Sequence, residues 1–150
     1  MSVTEELKNA VRVRAGYLCE YCHSPELLSA SRFTLEHTVP KSLGGDDEFA
    51  NLALACRRCN ERKYNFVSAI APETEEIVRI FNPRHHQWSD HFIWINEGTE
   101  IKGISAIGRA TCVRLDLNDR RYSPADSIRS TRSYWCKTGL HPPKDDPCES

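Results

Sequence analysis

Nowhere in this 150-residue chain is there a run of about 20 apolar residues, the length a membrane-spanning helix needs. The opening Met-Ser-Val-Thr-Glu-Glu-Leu-Lys places acids where a secretory leader would carry its apolar stretch, so a cytoplasmic protein is expected. Excess positive charge is missing as well. The net charge is -1, which argues against a generic nucleic-acid binder coated in lysine and arginine. Internal repeats and long low-complexity segments are absent, and the length leaves room for one modest domain, or a small core with an integral extension.

What charge there is lies unevenly. Arg57, Arg58, Arg62 and Lys63 fall together, whereas Asp46, Asp47 and Glu48, and later Glu73, Glu75 and Glu76, form acidic runs. A local basic face on a near-neutral protein is the resulting expectation.

Cysteine is the residue type in surplus: there are seven, and four of them stand in two pairs, Cys19-x-x-Cys22 and Cys56-x-x-Cys59. An odd count and doubled C-x-x-C spacing favour metal thiolates over a disulfide framework. Four thiolates suit a tetrahedral structural Zn²⁺ ion, and metal binding would compensate for a thin core. Cys112, Cys136 and Cys148 remain as free thiols, and His23 is read as surface polar.

The pattern between and around these pairs is strand, loop, strand, helix. Ser2 with Glu5 makes a capping box for a first helix carrying Leu7, Ala10, Val11 and Leu18, with Gly16 as its stop. Residues 32–39, ending at Pro40, read as one strand and Leu52 to Ala55 as a second, separated by the polar loop 41–50. A short helix should begin near Cys59. Beyond Ala71-Pro72, residues 91–95 and 100–105 flank Asn96-Glu97-Gly98-Thr99 as a hairpin. Two helices should follow, one presenting Ile107, Ala110, Val113 and Leu117, the other opened by Ser123-Pro124 and closed by Gly139. The organisation expected is a core over 1–70, an extension over 71–143 packed on it, and a flexible tail over 144–150.

Leu35-Glu36-His37-Thr38-Val39-Pro40-Lys41-Ser42-Leu43-Gly44-Gly45, then Phe49-Ala50-Asn51-Leu52, then Cys56-Arg57-Arg58-Cys59-Asn60, resembles the motif of HNH endonucleases. Cys-Glu-Tyr-Cys, Phe-Asn-Pro-Arg and the later Trp-x-x-His-Phe look like a bacterial HNH subfamily with an extension. Glu36 takes a place where many members carry Asp, and Asn60 a place where many carry His. The resemblance implies an α+β fold: a small zinc-stapled ββα-metal (HNH, His-Me finger) core, with a flanking N-terminal helix and a C-terminal hairpin plus helices. It also implies a metal-dependent endonuclease cutting DNA to 5′-phosphate and 3′-hydroxyl ends. His37 would be the general base, Glu36 and Asn60 would hold a catalytic Mg²⁺ or Mn²⁺, and Asn51 would steady the loop and the base.

Chemistry supports these roles independently. A neutral imidazole can take a proton from water near neutral pH. A carboxylate and an amide oxygen are hard ligands that leave most positions of an octahedral cation open. Arg57, Arg58, Arg62, Lys63 and Arg84 are the candidates for gripping phosphates, equally readable as a solvated surface, and Trp88 is read as core more readily than as a stacking platform. Two alternatives stay open: a noncatalytic zinc-binding module contacting nucleic acid or protein, and an enzyme acting on RNA.

Overall fold

The computed structural model describes residues 3–150, and the chain divides into two compact units. One joins Asn82–His85 to the residues up to Val67, and the other combines Ser68–Phe81 with His86–Ser150.

The first unit opens with helix α1 (Glu5–Arg14). Ser2, half of the expected capping box, lies outside the described residues. Thr4 is the N-cap, its hydroxyl accepting the Leu7 N–H at 3.2 Å. Glu5 and Glu6 in the first turn and Arg12 and Arg14 in the last suit the helix dipole, and Gly16, at φ +64°, ends the run. Both arginines turn inward. Arg12 donates to Glu26 at 3.3 Å and to the Phe33 carbonyl at 3.2 Å. Arg14 donates to the Phe49 carbonyl at 2.7 Å and stacks its guanidinium on the Phe49 ring.

Strands β1 (Thr34–His37) and β2 (Leu52–Ala55) pair antiparallel, with Glu36 opposite Ala53 and His37 opposite Leu52. β1 is shorter than the eight residues expected, because beyond His37 the Thr38 N–H goes to the Asn51 carbonyl and the backbone turns at Pro40. All four β2 residues are buried. Helix α2 (Arg57–Lys63) follows at once. It starts earlier than expected because Cys56 is itself the N-cap, its sulfur accepting the Cys59 N–H. Strand, strand and helix form the expected ββα unit.

In the second unit β3 (Ser68–Ile70) pairs with β4 (Ile77–Arg79), a short hairpin absent from the sequence-based expectation. β5 (Phe92–Ile95) pairs with β6 (Glu100–Gly103) across the expected Asn96–Thr99 connection. Helices α3 (Ala106–Arg114) and α4 (Ile128–Cys136) complete it. Gly108 permits a close approach, since a Cβ there would stand 2.0 Å from the His91 carbonyl oxygen. The core is aromatic: Phe81, Trp88, Phe92 and Trp94 are buried, with Phe81 and Phe92 edge to face at 5.3 Å.

Three local expectations for this unit are corrected. Of the expected apolar face, Ala110 is buried but Val113 faces solvent at 63% exposure, and α3 also buries Gly108 and Thr111. Ser123-Pro124 opens a separate 3₁₀ turn, while α4 is capped by Ser127. Residues 144–150, expected as a loose tail, run beside β5: the Trp94 N–H donates to Pro147 and the Glu149 N–H to Trp94, at 3.0 and 2.8 Å. Among the described residues, no helix is long and apolar enough to cross a membrane.

Candidate functional site

The chemistry-bearing residues converge within the first unit. Cys19 and Cys22 sit on a tight turn in which the Cys19 N–H donates to the Ser24 carbonyl at 2.9 Å and the His23 N–H to the Cys19 carbonyl at 2.8 Å. Cys56 and Cys59 come from the end of β2 and the first turn of α2. All four thiols are buried, their sulfurs lie within 4.8 Å of one another, and Cys22 and Cys56 stand 3.7 Å apart. Four sulfurs bound to one zinc at about 2.3 Å stand roughly 3.8 Å apart in a tetrahedron, so the cluster fits a closed zinc site of four thiolates. Burial pushes the Cys19 thiol up. A divalent cation would reverse that cost by stabilising the thiolates. Among the described residues, no other His, Cys, Asp and Glu group has this metal-binding proximity.

The first knuckle is clamped to β2 by Glu20. Its N–H donates to the Leu54 carbonyl and its carboxylate accepts the Leu54 N–H, both at 2.8 Å. The other oxygen of Glu20 pairs with Arg84, whose side chain is only 12% exposed. Arg84 was a candidate phosphate contact; the structure corrects this, because its guanidinium is engaged in holding the knuckle.

Tyr21, between the two knuckle cysteines, is fully buried and donates its hydroxyl to Glu36 Oε2 at 2.7 Å. Glu36 Oε1 pairs with the ammonium of Lys63, which arrives from the last turn of α2. Burial raises the Glu36 carboxyl from its ordinary value, and Lys63 and Tyr21 oppose that rise. Lys63 is 1% exposed and also faces the carbonyls of His37 and Thr38, so its expected place on a phosphate-gripping surface is likewise corrected. Of the other basic candidates, Arg57 is exposed and pairs with Glu61 at 2.8 Å, while Arg58 and Arg62 are half-buried.

Glu36, His37 and Asn60 line a single pocket of about 380 Å³, together with Leu35, Pro40, Lys41, Ser42, Tyr64 and Asn65. The strand brings acid and imidazole, and the helix brings the amide. Asn51 stands behind them. Its oxygen accepts from the Thr38 hydroxyl at 2.8 Å and the Val39 N–H at 2.9 Å, and its nitrogen donates to the carbonyls of Val39 at 3.1 Å and Asp46 at 2.8 Å. This one amide therefore ties the end of β1 to the returning loop. Gly45 allows the closure, since a Cβ there would stand 1.7 Å from the Val39 carbonyl oxygen.

Several contributors escaped sequence reasoning. His37 Nε2 lies 2.6 Å from Asp47 Oδ1, and Asp47 Oδ2 lies 3.1 Å from Lys41 Nζ. His37 and Lys41 together hold the Asp47 carboxyl below its usual value. In the sequence Asp47 stands only as part of an acidic run. Tyr21 carried no signal beyond its place in the knuckle, and Tyr64 none beyond being aromatic.

No curated protein and no solved structure matches the chain. Residues 19–66 match the model of the HNH endonuclease family, and that segment holds both cysteine pairs and every residue lining the pocket.

Proposed function

We propose that this protein is a metal-dependent endonuclease that hydrolyses phosphodiester bonds in DNA, with Cys19, Cys22, Cys56 and Cys59 holding a structural zinc. The observation that carries this reading is the convergence of Glu36, His37 and Asn60 on one pocket inside the segment of HNH character.

A phosphodiester resists water because its negative charge repels the nucleophile and its alkoxide leaves poorly. His37 addresses the first difficulty by accepting a proton as the water oxygen bonds to phosphorus, an effect typically worth about 10² to 10⁴-fold. The bond from phosphorus to the 3′ oxygen then breaks and the departing oxygen takes a proton from solvent water, leaving 5′-phosphate and 3′-hydroxyl ends. Glu36 and Asn60 would hold Mg²⁺ or Mn²⁺. Their oxygens are the hard donors such ions take, and each carboxylate oxygen of Glu36 has a second lone pair beyond the one facing Tyr21 or Lys63. When bound, such a cation supplies Lewis acidity, neutralising charge on the phosphate and on the departing oxygen. Asn51 keeps the loop closed behind the base. Lys41 offers an ammonium to flanking phosphates and Tyr64, 69% exposed, a face on which a base can stack. Arg57, Arg58 and Arg62 extend the contact along α2.

Nicking of supercoiled plasmid by zinc-loaded protein, with and without Mg²⁺ or Mn²⁺, tests the reading. Wild type should cut only with added cation, and His37→Ala should lose about 10² to 10⁴ of the rate. Equal cutting by both proteins would remove His37 as the base, and parallel digestion of labelled RNA decides the substrate. The ion pair of Glu36 with Lys63 favours one competing reading, a noncatalytic zinc module in which that pair is only structural. Absence of cutting under every cation would favour that module.

A further inference from the structure

We propose that Asp47 is a positioning residue that fixes the tautomer and direction of the His37 imidazole, an inference that rests on the reading of His37 as general base. The contact is close and directional: Asp47 Oδ1 stands 2.6 Å from His37 Nε2. Asp47 cannot swing away freely, because Oδ2 is held by Lys41 at 3.1 Å and the side chain is only 14% exposed. An ionised carboxylate can only accept, so the ring proton sits on Nε2, and the lone pair of the neutral imidazole is left on Nδ1. A base needs that arrangement, since one nitrogen must be free of its proton before water can give one up.

The loop is built to hold this carboxylate in place. Asn51 donates to the carbonyl of Asp46, the residue before Asp47, and to that of Val39, two residues after His37. The Gly45 N–H closes the same loop on the Pro40 carbonyl at 3.0 Å. Asn51 therefore never touches the imidazole through any of these bonds; it fixes both sides of the His37–Asp47 contact and acts through it. Once His37 has taken a proton, the resulting imidazolium faces an anion that Lys41 only partly offsets, so the charge formed during the reaction is stabilised where it appears.

The deciding measurement is the ring-nitrogen spectrum of His37. In ¹⁵N-labelled, zinc-loaded wild type at neutral pH, with the signal assigned by its loss in His37→Ala, the neutral ring should carry its proton on Nε2. A proton on Nδ1 overturns the proposal without any substitution at Asp47. In Asp47→Ala the Nε2 preference should relax towards a mixture, and kcat for plasmid nicking should fall on the order of tenfold to a hundredfold while KM holds. Unchanged zinc content and melting temperature would separate this from misfolding. Asp47→Ala with wild-type tautomer and wild-type kcat likewise overturns the proposal. If wild type cuts nothing, the nuclease reading fails, and the spectra still decide whether Asp47 sets the ring.

Discussion

Lys63 and Glu36 lie side by side with only 2% and 4% of their side chains exposed. Taking both charges out of water costs several kcal/mol per ion, offset here by their attraction and by the Tyr21 hydroxyl. Removing one partner strands the other, so Lys63→Met should destabilise the protein by about 3–5 kcal/mol, read as a shift in the urea midpoint. A loss below about 1 kcal/mol would mean that the pair contributes little, as exposed pairs do. Asn51→Ala tests a different kind of residue. Its four hydrogen bonds bind loop to strand, so its removal should lower kcat for plasmid nicking more than it raises KM. A pure KM effect would instead place Asn51 on the substrate.

At the scale of elements, the two knuckles and the ββα unit depend on one another. The first knuckle grips β2 through Glu20, the second is the junction of β2 with α2, and Tyr21 reaches from knuckle to strand. Cys22→Ser should therefore abolish stoichiometric zinc binding and, with it, the cooperative unfolding of the first unit. Full zinc content in that variant would contradict a four-thiolate site. Because thiolates must be deprotonated to bind, zinc release should set in as pH falls, detectable with a zinc-sensitive dye. Gly45→Ala probes the loop alone. A Cβ 1.7 Å from a backbone oxygen cannot be accommodated without moving the loop, so activity should fall even where zinc is retained.

For the whole molecule, the division into two units places all three tryptophans, Trp88, Trp94 and Trp135, in the second, whereas all four paired cysteines lie in the first. Stripping zinc with a strong chelator should lower far-UV ellipticity while leaving tryptophan emission close to its native maximum. A red shift tracking zinc loss would show that the second unit cannot hold its aromatic core once the first has unfolded.

Sequence alone determined the parts whose cause is local. Doubled C-x-x-C spacing is a property of the chain, as is the β2 run Leu52–Ala55, and the order of Glu36, His37, Asn51 and Asn60 along strand, loop and helix could be read before any folding. The hairpin turn at Asn96–Thr99 was legible for the same reason. The β3–β4 hairpin was not, because its three-residue strands carry too little pattern. Depth and partnership were decided only by the tertiary structure. A lysine in a basic cluster and an arginine after a proline look the same whether they meet solvent or a buried carboxylate, and Lys63 and Arg84 meet carboxylates. Asp47 finds His37 only because Asn51 and Gly45 fold the loop back on the strand. Such pairings depend on where separate segments come to rest, and no short stretch of sequence encodes the electrostatics of a neighbour that arrives from elsewhere.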